Sequence, residues 1–530
     1  MNQSARLRQR FTAVACVLAI VLALVVTTCR PAPTAPGAVA PPAAPVAGLP
    51  PQLVAEFVAA VEAELAYYHI PGGAIAIVHD GQIVHAQGLG VRNIATGEPF
   101  TPETQFRPGS TGKSLTSLML AQLVDRGALA WDTPVTRIMP SFATSDPALT
   151  ARLTVGDLMG MGTGLVNDSR HALHWDHWTV EDLFQSIAAQ PVQGAYGQFY
   201  SYNNELYAAA AYIGLVAAGR EPTLADYTSW MYEHVTGPIF MPSAVLTDDL
   251  ATLSDNRTQS YEVTLLGGVE TPSPMPDAPV GVIGPAGGWW MNILDMARYL
   301  VTQMNGGVTP DGTRIVSAES LARTWQPGVV VTEEALVPIM RARYGMGWMV
   351  GSYRGVPIRF HGGGWKGYQT MMAIFPEHNT GLLVFVNHVF GSAAGFGLML
   401  HFAELLGGLD PEILSAVHQR FEDDLRRGAA QARQLPAYHL QPTVAAVLGI
   451  YEGGWRVELR DDQTLWLLRP GWEYLLYPLA SPAHAFIVAN YESMGSSVSF
   501  QVVGERVLLQ FADAGLLSVP KTAEQNAAGP

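Results

Sequence analysis

Residues 107–124 constrain this chain more than any other stretch. Arg107-Pro108-Gly109-Ser110-Thr111-Gly112-Lys113-Ser114-Leu115-Thr116-Ser117 runs straight into Leu118-Met119-Leu120-Ala121-Gln122-Leu123-Val124. Leu115, Leu118, Met119 and Gln122 recur at helical spacing. Proline and glycine are poor inside a helix, so Pro108 and Gly109 put the helix start at or just after Ser110. Ser110 then stands at a helix N-terminus, with Lys113 about one turn on along the same face. A serine hydroxyl is a weak nucleophile until something takes its proton. A lysine stripped of water can do so, because burial lowers an amine pKa towards neutrality. The helix-end amides point to where an acyl oxyanion would form.

Ser-x-x-Lys is a weak signal alone, and Ser518-Val519-Pro520-Lys521 matches it too. Pro520 disfavours a helix there, so that copy reads as chance. Lysine is rare in this chain: Lys113, Lys366 and Lys521 stand against twenty-seven arginines. A lysine kept at position 113 points to a group that must lose its proton, which arginine cannot do.

At 530 residues the chain has room for two or three domains, and with 48% hydrophobic and 14% charged residues it can bury large cores. A formal net charge of −15 argues against nucleic acid or anionic headgroups as main partners. Both cysteines, Cys16 and Cys29, lie near the N-terminus, so the body has neither a disulfide framework nor a thiolate metal site. Arg6, Arg8 and Arg10 precede an apolar run over 11–26 and then Thr27-Thr28-Cys29. That is an export signal in outline. It resembles a bacterial lipoprotein signal with Cys29 as the lipidated residue, and departs from it at Thr28, where that pattern has Gly, Ala or Ser. An uncleaved anchor and ordinary cleaved secretion are the alternatives. All three place the body outside the cytoplasm; lipidation or an uncleaved anchor would hold it in the cell envelope with the N-terminus as its membrane contact.

The expected organisation is a signal or lipoprotein segment over 1–29, a Pro/Ala-rich spacer over 30–51 and a main domain over 52–405. A helical linker over 406–440, a small all-β domain over 441–522 and a tail over 523–530 follow. The main domain opens with an amphipathic helix over 53–68 and a hairpin around Asp80-Gly81. Further on, His171, His174, Asp176 and His177 crowd a loop that also carries Trp175 and Trp178. They could ligate a metal, but nothing completes a catalytic zinc motif, so a pocket-lining loop is expected and no metal. Past 441 the texture becomes short strands at 454–459, 464–468, 474–476, 485–488, 497–503 and 506–511, a barrel or sandwich.

Two further landmarks follow Ser110. Tyr202 and Asn204 lie just before an apolar helix over 208–218. They form either a turn packed on that helix, or a phenol relaying the Ser110 proton beside an amide that binds the substrate carbonyl or Lys113. His361-Gly362-Gly363-Gly364 leads into strands at 369–375 and 381–387. Those glycines sit at or beside a sheet edge, where a ligand can approach the backbone. His-x-Gly is weak alone, since His79-Asp80-Gly81 also fits.

Taken in order, Ser-x-x-Lys at 110–113, Tyr-x-Asn at 202–204 and His-x-Gly at 361–363 resemble the serine β-lactamase and penicillin-binding-protein superfamily. The likeness is to its class C-like branch of D-Ala-D-Ala carboxypeptidases, D-aminopeptidases and esterases. Pro71-Gly72-Gly73-Ala74, Ala286-Gly287-Gly288 with Asp295, and Tyr344-Gly345-Met346-Gly347-Trp348 add to it over about residues 52–405. The β domain looks like one appended to many such hydrolases. The resemblance implies an α/β fold: an antiparallel sheet flanked by helices, with an all-helical subdomain. It implies Ser110 as nucleophile, Lys113 and Tyr202 sharing the general-base role, and Asn204, His361 and Gly363 binding substrate. The amides of Ser110 and Gly364 would form the oxyanion hole, with no cofactor. His361 departs from the lysine usual in β-lactamases and transpeptidases, and Met161 from a common histidine. A mostly neutral imidazole that gains charge near pH ~6.5 would bind a substrate carboxylate less well. The implied function is an exported serine hydrolase cleaving an amide, peptide or ester of a small-molecule or peptide substrate through an acyl-enzyme. The alternative is a penicillin-binding or sensing module of the same fold without turnover.

Overall fold

The computed structural model describes residues 48–167, 175–263, 271–332, 339–432, 447–451, 455–460, 464–469, 472–478, 485–488, 497–503, 506–511 and 518–520. Cys16, Cys29, the spacer, His171 and His174 lie outside the described residues.

Helix α1 (Pro51–Tyr67) has proline in its first turn and buries Phe57, Val61, Glu64 and Leu65. Strands β1 (Gly72–His79) and β2 (Gln82–Asn93) form the hairpin, turning at Asp80 and Gly81, both at positive φ. After β3 (Glu98–Pro99) the chain leaves the sheet. It returns through the small pair β4 (Tyr261–Glu262) and β5 (Ser273–Pro274), then β6 (Arg341–Tyr344), β7 (Met349–Tyr353), β8 (Val356–Trp365), β9 (Tyr368–Phe375) and β10 (Thr380–Val386). The eight-stranded sheet has the order β3-β2-β1-β10-β9-β8-β7-β6. Its closure joins the two ends of the domain: β1 runs antiparallel to β10, Gly73 opposite Val386.

Between β3 and β6 lies a mainly helical region. It includes α2 (Lys113–Asp125), α3 (Val180–Ala189), α4 (Asn204–Ala217) and α5 (Ile293–Met304). Every residue of α2 from Lys113 to Leu123 is buried, so this helix is the axis of the domain and not a surface element. Helices α6 (Gly391–Gly407) and α7 (Ile413–Ala432) follow the sheet. Gly381 of β10 meets Leu300 of α5, while Met371 of β9 meets Gly395 of α6. The register Gly381↔Ile374 and Val384↔Met371 puts those contacts on opposite faces, which is why β1 and β10 are buried along their whole length. The charged helix α7 lays its apolar stripe on the body: Phe421 packs edge-on to Tyr68 at 4.7 Å, and His418 meets Glu64 at 2.8 Å.

Beyond it stand β11 (Gly449–Tyr451), β12 (Trp455–Leu459), β13 (Leu465–Arg469), β14 (Trp472–Pro478), β15 (Ala485–Val488), β16 (Ser497–Val503), β17 (Arg506–Phe511) and β18 (Ser518–Pro520). They pair antiparallel in chain order as one eight-stranded sheet, a meander and not two stacked sheets. Short strands at both ends, β11 and β18, extend the six read from the sequence.

Candidate active site

The helix that carries the serine starts tighter than its sequence suggests. A 3-10 turn over Gly109–Gly112 runs into α2 at Lys113. Ser110 sits in that turn, half-buried. Three glycines bring backbone against backbone around it. A Cβ on Gly363 would lie 1.9 Å from the Pro108 carbonyl oxygen, one on Gly287 2.4 Å from that of Gly109, and one on Gly109 2.5 Å from the Gly364 nitrogen. Gly109 also holds φ at +55°, which a side chain resists. The ladder explains what β8 offers here. Its first half, Val356 to Phe360, pairs with β7, whereas His361 to Trp365 pair only with β9. The uncovered edge of that second half is where the Ser110 turn docks, beside the exposed Gly364.

Lys113 is fully buried. Its Nζ lies 2.6 Å from Asn204 Oδ1, 2.8 Å from the Ala286 carbonyl and 3.1 Å from Ser110 Oγ. Burial drives its pKa well below that of free lysine. An amide oxygen and a carbonyl can only accept, so a neutral amine spends its two N–H groups on them. Its lone pair is then left for the Ser110 hydroxyl, which donates to it. The geometry thus orients an amine lone pair towards the Ser110 hydroxyl.

Asn203 and Asn204, adjacent in sequence, divide two tasks. Asn203 is the N-cap of α4, its side chain accepting from the Leu206 amide, while Asn204 faces Lys113. The Tyr202 ring lies 4.8 Å from Lys113 Nζ and 6.2 Å from the His361 ring. Met161 holds this loop from below. It sits at φ +56°, its carbonyl accepts from the Ser201 amide at 2.9 Å, and its sulfur accepts from the Asn203 amide at 3.2 Å.

His361 corrects an expectation. Its ring is buried, with Nδ1 2.5 Å from the Gly362 carbonyl, so Nδ1 carries the proton and Nε2 accepts from the Tyr344 hydroxyl at 2.9 Å. Burial, then the nearby Lys113, lowers its pKa to about 3. The charge gain expected near neutrality is therefore absent: this imidazole lines the site as a neutral group bonded within the protein. Of the histidine-rich loop, His177 is exposed and 3.5 Å from Asp176. Among the described residues no cluster of His, Cys, Asp or Glu could hold a metal ion.

Sequence reasoning missed the groups that brace the base. The Ala286 carbonyl ends a 3-10 turn over Gly281–Ala286. Tyr207 donates to the Lys113 carbonyl at 2.9 Å and meets Ser117 Oγ at 2.6 Å. Ser117 in turn donates to the Met346 carbonyl at 2.7 Å. A backbone acceptor has no side-chain signature, but Tyr207, one helical turn beyond Asn204, had the spacing to be noticed.

An amine oriented on a serine hydroxyl, inside an antiparallel sheet with a helical insert, defines a serine hydrolase of the β-lactamase and penicillin-binding-protein type. The chain belongs to the beta-lactamase family, whose model matches residues 57–399. It is 27% identical over 344 residues to penicillin-binding protein 4 of Amycolatopsis lactamdurans, covering 64% of this chain and 86% of that protein. It is 26% identical over 442 residues to the unguisins hydrolase ungD' of Aspergillus campestris, covering 78% and 77%. Among solved structures, the octameric penicillin-binding protein homologue from Pyrococcus abyssi superposes with a TM-score of 0.56 at 19% identity, over 88% of this chain and 100% of that one. SurE with D-Leu gives 0.53 at 18%, over 89% and 100%.

Proposed function

We propose that the chain hydrolyses an uncharged ester or amide through an acyl-enzyme on Ser110. The observation that carries this is the buried Lys113, whose two fixed acceptors leave its lone pair to Ser110. Ser110 Oγ attacks the substrate carbonyl as its proton passes to Lys113 Nζ, with the Tyr202 phenol sharing the transfer. The Ser110 and Gly364 amides take the oxyanion, and Asn204 and Gly363 position the substrate. Collapse of the tetrahedral adduct expels the alcohol or amine, which takes up the proton, and water then releases the acid by the reverse sequence. A substrate without a carboxylate is favoured by the neutral His361. It is also favoured by the engagement of nearby cations elsewhere: Arg107 pairs with Asp248 at 3.3 Å, and Lys366 lies 5.3 Å over the Tyr474 ring. The relative named an unguisins hydrolase supports turnover over a lasting adduct. Export to the cell envelope, with lipidation of Cys29, is part of the same reading and rests on the N-terminal pattern.

The test is intact-mass and steady-state measurement on purified protein with a p-nitrophenyl ester, a D-amino-acid amide and nitrocefin. Multiple turnover of the ester or amide, with nitrocefin the poorest, is expected. A permanent adduct without turnover would instead make this a sensing module. For location, Cys29→Ser is expected to release the protein from the membrane fraction or leave its signal uncleaved. A wild type wholly soluble outside the cell, starting at another residue, would rule lipidation out.

A further inference from the structure

The turn that supplies the Ala286 carbonyl to Lys113 is anchored at both ends by one ion pair. At its entry, Asp248 accepts from the Val280 amide at 2.9 Å and the Gly281 amide at 2.8 Å. Beyond its exit, Arg107, the partner of Asp248, donates to the Gly288 carbonyl at 3.1 Å. Between these anchors the turn meets helix α2 with two successive carbonyls. Ala286 accepts from Lys113 Nζ at 2.8 Å, and Pro285 accepts from Thr116 Oγ1 at 2.6 Å. Thr116 lies three residues past Lys113, on the same face of α2, and is fully buried. A hydroxyl within a helix commonly turns back to a carbonyl of the preceding turn. Ser114 does so, donating to the Thr111 carbonyl at 2.7 Å. Thr116 sends its hydrogen across to the turn instead, and the Tyr227 hydroxyl, 2.7 Å away, donates to the Thr116 oxygen.

We propose that Thr116 is a positioning residue for the Lys113 amine. By holding the Pro285 carbonyl it keeps the adjoining Ala286 carbonyl on Lys113 Nζ, so that one N–H of the amine stays occupied and the lone pair stays on Ser110. This rests on the reading of Lys113 as the group that takes the Ser110 proton. The contact requires a hydroxyl: without it the buried Pro285 carbonyl loses its donor, and the turn gains reason to rotate towards another. Once the Ala286 carbonyl drifts, Lys113 can present an N–H to Ser110 in place of its lone pair. Proton transfer then slows in acylation and deacylation alike.

The experiment uses the full chain and compares two variants. Thr116→Val keeps the shape and removes the hydroxyl, while Thr116→Ser keeps the hydroxyl and removes a buried methyl. For each, kcat and KM for p-nitrophenyl acetate, the rate and final extent of fluorophosphonate labelling, and the melting midpoint are measured. Both variants should melt below wild type, since one loses a buried hydrogen bond and the other buried packing. Thr116→Val should lower kcat per labelled site by about tenfold, less than the roughly 10²-fold that a misplacement of about 1 Å can cost. Its labelling should slow by a similar factor yet reach the same final extent. KM should stay within about twofold, because the amine serves both half-reactions. Thr116→Ser should keep kcat within about twofold of wild type, although its melting midpoint falls too. If Thr116→Val folds poorly, Thr116→Ala is compared with the same serine variant. Equal losses of kcat with and without the hydroxyl overturn this inference. So does a loss of labelled sites with turnover per site unchanged, or a rise in KM alone. Each of those results leaves the hydrolase reading standing. Absence of labelling and ester turnover in the wild type would overturn both.

Discussion

The same four-residue pattern occurs twice in this chain, and the two copies end in different places. Ser110 and Lys113 share a 3-10 turn and the first residue of a buried helix, which puts the two side chains 3.1 Å apart. Ser518 begins β18, a short strand paired to β17 with Ser518 opposite Gln510. A strand sends residues three apart to opposite faces, so this backbone lacks the one-turn helical spacing that brings Ser110 and Lys113 together. The motif has chemical meaning only where the backbone is helical and the lysine is dehydrated. The sheets that house the copies differ likewise: the first is closed by strands from its two ends, and the second pairs each strand with the next.

The comparison can be broken at its centre. Ser110→Ala should abolish fluorophosphonate labelling and lower kcat/KM by about 10³-fold or more, while Ser518→Ala changes neither. Equal losses would show that the helical setting is irrelevant. Next in size is Lys113→Arg. It restores a permanent charge where a neutral amine is needed and should cost about 10²-fold or more. In the wild type the lowered pKa of Lys113 keeps activity present at neutral pH. The rate should fall as pH drops through that lowered value and the amine protonates, seen as an acid limb in the kcat/KM profile that Lys113→Arg does not show.

Smaller effects sharpen the picture. Gly363→Ala drives a Cβ into the Pro108 carbonyl and should destabilise the fold by about 1–3 kcal/mol with loss of activity, read from the melting midpoint and ester turnover. Gly160→Ala meets only ordinary contacts at 3.4 Å, and should stay within about 0.5 kcal/mol. The smallest expected change is a flat line. With the His361 pKa at about 3, the ratio of nitrocefin to ester kcat/KM should hardly vary between pH ~5.5 and ~8. A ratio rising steadily towards acid would return His361 to the role its sequence position suggested. Stability should respond instead. Unfolded His361 takes a proton near pH ~6.5 and the folded ring does not, so stability is lost as pH falls from there towards 3, by at most about 1.4 kcal/mol per unit.

What could be read from the sequence follows the same divide. Each strand of the second sheet pairs with its neighbour, so alternation and turn residues marked 485–488, 497–503 and 506–511 at the bounds the structure shows. Ser110, Lys113 and Asn204 were found as motifs, and the fold brings them within hydrogen-bonding distance. The contact of Ala286 with Lys113 escaped because its contribution is a carbonyl. The contact between Arg469 and Asp176 escaped because it spans 293 residues of sequence. His361 misled because its residue type suggests titration, while its pKa is set by burial and by Lys113, neither of which spacing reveals.

The pairing of β1 with β10 has a kinetic side. Gly72 and Asn387 are held together by a 2.9 Å hydrogen bond across 315 residues. A nascent chain that has not yet yielded β10 lacks the strand between β1 and β9, and both of those present open edges. Closing so long a loop is slow, and contacts of this span delay folding. Ser110 can therefore be made early but not armed until the chain has emerged past residue 386. The second sheet, built from successive hairpins, can form as it emerges. Emergence of the first sheet from the ribosome is then the interval in which this protein is most exposed to aggregation and proteolysis.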